Sequence, residues 1–397
     1  GPIAQAVLVV DAEPWAVAEM SGDPFDADTD WTGARAAGVE LLRKLWDASA
    51  DMGTVEPDAL AIVSAAARRW DDQSGIRGDS VDPLTAAINR PSTRALDAAL
   101  SWAMSRVRRD ESWSPPTDLL GLLEDWLRRP GLDGLEGRAI IATKLPFLRE
   151  YAGDWFQANR SLIIGGDAPD DLGRRTFDLY VEWARPTRTL LSEEVEAYAL
   201  SLNSQADHAV AHLLLGLLWG VPPWDDSGYL LATLLGESVE TVSLAGDALA
   251  RMLREVDDEQ VVNRGLALWK SAVEAHLPPE AYKGFGWFAE VDAVSPNDWL
   301  DLMSATVDLS GGTIEWEHRV AKRAAASPSD ERALRILTRL ITGDMPMWHV
   351  RDVGAAALLA LEESRDAELP DATEAARERL VETLLERGFF EARELAR

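Results

Sequence analysis

Two histidines, His208 and His212, stand four residues apart. On a helix that spacing presents both imidazoles on one face, as in the zinc-protease motif. The residue after His208 is Ala209, where that motif carries its general-base Glu, and no third ligand follows at a recognisable spacing. The pair therefore reads as the polar edge of a helix capped by Asp207. Asp26, Asp28 and Asp30 alternate like the first ligands of a calcium loop, but Trp31 takes the position that needs Gly and Ala37 the one that needs a bidentate Glu. Paired aspartates recur at Asp71-Asp72, Asp170-Asp171, Asp225-Asp226 and Asp257-Asp258, in a chain with 16 tryptophans. Such carboxylates could do acid–base or magnesium chemistry in an α/α-toroid enzyme of the glycosidase or terpene-cyclase kind. A D-D-x-x-D cluster is missing, since Tyr229 stands where Asp225-Asp226 would need its third carboxylate. Asp-Asp at a turn commonly caps a helix, so this enzyme is the alternative reading.

The chain has no cysteine, which excludes disulfides, thiolate metal sites and cysteine nucleophiles. No phosphate-cradling G-x-x-x-x-G-K-[ST] and no G-x-S-x-G elbow occurs. Gly131, Gly134 and Gly137 have no strand before them and read as a turn. No catalytic, cofactor-binding or metal-binding residue is expected, and no cofactor. Across 397 residues, 47% hydrophobic and 27% charged describe an ordinary folded chain, yet 39 Lys+Arg against 68 Asp+Glu leave a net charge of −29. That charge repels phosphate backbones and anionic lipid, so neither nucleic acid nor a membrane is the expected partner. Residues 209–224, the longest uncharged apolar stretch, are interrupted by His212 and Pro222-Pro223 and fall short of a membrane span. A cytoplasmic location is expected. The chain begins Gly1-Pro2, which resembles a protease-cleavage remnant and implies a piece of a longer protein.

The elements that must position any site are helices. Val39, Leu42, Leu45 and Trp46 share a helical stripe, and Asp58 to Trp70 follows as a second helix. Pro91 opens a helix that stops at the basic group Arg106, Arg108 and Arg109, which reads as a C-terminal cap or a local contact surface. Thr117 caps a helix bearing Leu119, Leu122, Leu123 and Trp126. Later helices are predicted over Asp170–Ala184, Ser192–Leu202, Asp207–Trp219, Val239–Leu253, Asp258–His276, Pro296–Leu309, Glu315–Ala326, Asp330–Ile341, Val350–Glu363, Asp371–Glu386 and Phe389–Leu395. Only Ala6–Val10 and Leu162–Ile164 suggest strands. Consecutive helices with short connections pack on their neighbours, so the expected fold is all-α: a superhelical α-solenoid of antiparallel hairpins, HEAT/TPR-like, with roughly 40 residues per hairpin. It is read as one continuous helical-repeat domain over 1–397, with a bend at the Gly165-Gly166-Asp167 turn, near 165–169.

Three stretches resemble the helical C-terminal regions of bacterial antiphage defence proteins, such as STAND NTPases and SIR2-containing effectors. They are residues 82–91 (DPLTAAINRP) with Arg94-Ala95-Leu96, residues 284–288 (GFGWF) with Asn297-Asp298-Trp299, and residues 384–388 (LLERG). The resemblance implies an effector domain ahead of the repeats and carries no catalytic residue onto this chain. The expected role is a noncatalytic recognition or scaffold module, the sensor region of such a defence system. Its partner is expected to be a protein with a basic surface, or the missing N-terminal effector domain. Phe285, Trp287 and Trp299 are the candidate protein-binding anchors, because glycine-flanked rings can project from a turn.

Overall fold

Helix starts follow from the residues that can satisfy free backbone N–H groups. Asp82, Asp171, Asp226, Asp258 and Asp330 each accept an N–H of the following turn, and Ser238 and Ser295 do so through their hydroxyls. Pro91 opens the helix Pro91–Arg109, and Arg90 before it is extended (φ −98°, ψ 129°), as the proline ring requires. Thr117 is the first helical residue rather than a cap: Pro116, extended at ψ 155°, holds that position and no side chain bonds there.

The computed structural model describes residues 32–48, 53, 56–69, 82–165, 171–344 and 347–395. Every element among them is helical. The Ala6–Val10 strand candidate and the Asp26, Asp28 and Asp30 segment lie outside the described residues. Leu162 and Ile163, read from sequence as a strand, belong to the short helix Arg160–Ile163. The chain divides into two compact units, Gly1–Leu190 and Leu191–Arg397, a division that falls beyond the Gly165 turn.

In the first unit Pro91–Arg109 receives Thr32–Asp47, Glu56–Arg69, Pro83–Asn89 and Gly131–Thr143. Its Leu96, Leu100 and Ala103 are fully buried. The glycines read as a turn lie inside the helix Gly131–Thr143. Their meaning is close approach: a Cβ on Gly137 would run into the indole of Trp126. The cationic group at the end of Pro91–Arg109 is engaged within this unit. Arg108 donates to the Trp46 carbonyl at 2.9 Å, while Arg106 and Arg109 stand 3.6 and 3.5 Å from the buried Glu56, which also accepts the Trp102 indole N–H at 2.7 Å.

In the second unit the helices form two rows, in which most members pack on the element two places along the chain. One row runs through Val195–Trp219, Val239–Leu253, the 3-10 segment Pro279–Glu290, Glu317–Ala325, Met347–Glu363 and Ala392–Leu395. The other runs through Ser227–Glu237, Glu259–Glu274, Pro296–Leu309, Glu331–Thr342 and Asp371–Glu386. Members of this second row begin at residues 227, 259, 296, 331 and 371, so they recur every 32 to 40 residues. Val195–Trp219 joins the two helices predicted over Ser192–Leu202 and Asp207–Trp219, with a break at Gln205 (φ −137°, ψ 47°).

The 3-10 segment ends inside the protein, and its terminal carbonyls need donors. Arg323 supplies them: Nη1 donates to the Phe288 and Val291 carbonyls at 2.9 Å each, and Nη2 to the Val294 carbonyl at 2.8 Å. Its guanidinium also lies 4.8 Å from the Trp299 ring centroid. Val291 and Val294 also donate their backbone N–H groups to the Phe288 and Val291 carbonyls, so replacing Arg323 with Met removes three charge-assisted hydrogen bonds without orphaning every acceptor, and should lower the unfolding free energy by about 3 kcal/mol. Lysine cannot span three carbonyls with one planar fork, so Arg323→Lys should recover less than half of the loss. Urea unfolding followed by circular dichroism measures both, and full recovery by lysine would refute the geometric argument.

Candidate functional site

The 3-10 segment sorts the predicted anchors by side. Phe285 is 0% exposed and Trp299 1% exposed, so both are core residues in this chain and neither projects from a turn. Phe285 packs against Trp269 and Phe288, with ring centroids 5.9 and 6.2 Å away. Trp269 completes its bonding by donating to the Thr306 hydroxyl at 2.8 Å. The glycines of this stretch explain the burial: a Cβ on Gly284 would meet the Ser243 carbonyl, and one on Gly286 the Glu315 carbonyl. They bring the backbone against its neighbours instead of freeing the rings.

Trp287 points the other way and is half-buried. It begins a ladder of rings drawn from three elements. Trp316 lies 4.1 Å from it, His318 5.6 Å from Trp316, His349 6.1 Å from His318, and Trp348 meets His349 edge-on at 5.9 Å. Trp348 is 68% exposed. Sequence reading finds only the first rung, because the others lie 29 to 62 residues further along. A local signal does exist in the alternation of Trp316 with His318 and in the adjacent pair Trp348-His349.

Two features fix the ladder. The Trp287 indole N–H donates to Glu315 Oε2 at 2.9 Å, and the Glu315 N–H bonds the Lys283 carbonyl at 2.9 Å. Trp316 caps the helix Glu317–Ala325 in the left-handed region, at φ 60° and ψ 33°, an outlier for so bulky a residue. Guanidinium groups lie on the indoles: Arg251 is 4.5 Å from the Trp287 centroid and Arg319 5.6 Å from that of Trp316. Beside Trp316 opens a recess of about 420 Å³, lined also by Lys283, Thr313, Ile314, Glu315, Glu317 and His349. The Glu317 carboxylate stands 3.2 Å from His349 Nδ1, and only 12% of that side chain is exposed. A second recess of about 840 Å³, bounded by Trp348, Arg351, Asp352, Arg387 and Phe389 among others, continues the aromatic surface.

The other sequence candidates separate. His208 is exposed while His212 is buried, with its ring 5.8 Å from that of Tyr198. No group of three His, Asp or Glu among the described residues is arranged to hold a metal ion. Asp171, Asp226 and Asp258, the second members of three aspartate pairs, are helix N-caps. Asp71-Asp72 and Asp170 lie outside the described residues. Comparison with known protein families, with characterised proteins and with solved structures finds no match to the chain.

Under the first rung sits Asp247, whose Oδ2 accepts from Arg251 Nη2 at 2.7 Å. Burial raises its pKa above the ordinary carboxyl value, Arg251 opposes that rise and Glu315 adds to it. The folded chain thus holds this proton more tightly than the unfolded chain. Ionised Asp247 costs stability above its folded pKa, and the cost is relieved as pH falls through it. In a carboxyl ¹³C titration Asp247 should show a midpoint above that of an exposed aspartate, moving up in Arg251→Leu and down in Glu315→Gln. A midpoint unmoved by both substitutions would show that neither charge reaches it.

Proposed function

We propose that the chain is a noncatalytic helical-repeat module that recognises a protein partner, with the ring ladder Trp287–Trp316–His318–His349–Trp348 as its contact strip. The ladder carries the reading: it sets Trp348, 68% exposed, at the end of a run of rings in tilted, stacked and edge-on contact, and interface hot spots are commonly such aromatic groups on a pre-ordered base. The two rows of the second unit, with members recurring every 32 to 40 residues, support an α-solenoid of HEAT/TPR-like hairpins as the scaffold. The net charge of −29 favours a partner with a basic surface over a nucleic acid or a membrane. No helix among the described residues is long and apolar enough to cross a membrane. The resemblance of residues 82–91 with 94–96, 284–288 with 297–299, and 384–388 to helical regions of antiphage defence proteins motivates the further proposal of a cytoplasmic sensor module, its partner being a protein with a basic surface or an effector domain. The acidic α/α-toroid alternative loses motivation, because aspartates that suggested it cap helices.

Two measurements test this. In a stack where each repeat leans on its neighbours, amide exchange in the second unit should quicken toward Asp371–Leu395 instead of being uniform. Uniform protection would speak for one globular core. For recognition, affinity capture supplies a candidate partner and surface plasmon resonance on purified proteins supplies the decision. Trp348→Ser should speed dissociation at least tenfold, Trp287→Ala should do likewise, and Trp183→Ser, at a 47%-exposed tryptophan in the first unit, should change nothing. Rising salt should slow association. Dissociation unchanged in both ladder variants would remove the ladder from the interface.

A further inference from the structure

We infer that the recess beside Trp316 is a receptor for one arginine side chain presented by the partner, an inference that rests on the recognition role proposed above. The recess, about 420 Å³, is at the small end of the range of roughly 300–1,000 Å³ for ligand pockets, which suits a side chain rather than a folded element. Its lining carries two carboxylates, Glu315 and Glu317, against one ammonium, Lys283, an excess of one negative charge. Lys283 has another acidic neighbour in Glu240. That carboxyl is held below its ordinary value first by its own backbone N–H, then by the Ser238 hydroxyl, and lastly by the field of Lys283. Lys283 thus faces an acidic group outside the recess as well, and an incoming cation meets a net negative lining.

The geometry selects the cation. Glu317 is the first residue of the helix Glu317–Ala325, its carboxylate 3.2 Å from His349 Nδ1 with 12% of the side chain exposed, so packing leaves it few directions from which to meet a ligand. Trp316 and His349 supply ring surfaces to the same recess. A planar guanidinium meets a carboxylate with two parallel N–H bonds while lying against a ring, whereas an ammonium is a compact and strongly hydrated point charge. The ladder already carries this chemistry twice within the chain, with Arg251 on Trp287 and Arg319 on Trp316. Neither of those arginines lines the recess. Ile314 and Thr313 close its wall and suit the methylene stem of an arginine.

The test uses the full chain and N-acetyl-arginine methylamide as probe, with the tryptophan indole N–H signals followed by ¹H–¹⁵N correlation NMR and Trp316 assigned from Trp316→Phe. The arginine compound should shift the Trp316 signal saturably with a millimolar dissociation constant. N-acetyl-citrulline methylamide, of the same shape without the charge, should bind at least tenfold more weakly, and the lysine analogue at least threefold more weakly. Glu317→Gln should weaken the arginine compound at least fivefold. Glu315→Gln, at an exposed loop position, should also weaken it and serves if the first variant fails to fold. A linear, non-saturating response, equal binding of citrulline, or unchanged affinity in the carboxylate variants overturns the inference. The two proposals fail separately. Partner binding that depends on Trp348 in a chain blind to arginine sinks only the receptor, and arginine binding in a chain whose partner ignores the ladder sinks only the recognition strip.

Discussion

Helices that end inside a protein leave carbonyl groups with no partner, and this chain meets that constraint with arginines reaching over from neighbouring elements. Arg323 gathers three carbonyls at the end of the 3-10 segment. In the first unit the buried Arg138 donates to the carbonyls of Leu127, Leu162 and Leu172 and to the Thr176 hydroxyl, tying its own helix to three others. Arg108 reaches Trp46, Arg264 reaches Leu218 through two nitrogens, and Arg387 reaches Thr342. Burial pulls Arg138 and Arg323 below the ordinary guanidinium value, with Asp171 and Asp292 opposing it, yet that value starts so high that both stay charged. Only five of the 39 basic residues are lysine, as expected where the task is to span several acceptors with a rigid fork.

The same device sets the surface. Arg323 holds the end of a segment whose Phe285 and Phe288 enter the core around Trp269 while Trp287, between them, faces outward. A ring on that outward side inherits the order of the core behind it. Gly284 and Gly286 complete the arrangement by letting Ser243 and Glu315 approach the backbone, and the Glu315 carboxylate then takes the Trp287 indole N–H. Trp316, one residue on, pays for its left-handed backbone with contacts to Trp287 and His318.

What the sequence shows and hides follows from how far apart the cooperating residues lie. Helix class and many helix starts are legible, because caps such as Asp258 and Ser295 act within one turn of themselves, although the helix Ser227–Glu237 behind Asp226 is not among the predicted ones. The helix Gly131–Thr143 is not, since its glycines look like a turn until Trp126 is seen against Gly137. Phe285 and Trp299 are recognisable as important, but nothing local tells a core plug from an exposed anchor, and the side they face is decided by Trp269 and Arg323. The ladder is hidden for the same reason: Trp287, Trp316 and His349 become neighbours only when the row of which they are part is stacked.

Charge has a comparable logic. Aspartates at helix starts and arginines at helix ends each serve the pole they face, so part of the charge of this acidic chain is structural. Where an arginine meets an aromatic ring the arrangement recurs: Arg129 on Trp126 and Arg323 on Trp299 in the two cores, Arg251 on Trp287 and Arg319 on Trp316 along the ladder. Guanidinium against indole is therefore a contact this sequence uses both to close its interior and to order its surface. A partner offering the same group to the acidic side of Trp316 needs no new chemistry from the chain, only a place at the end of a pattern already built.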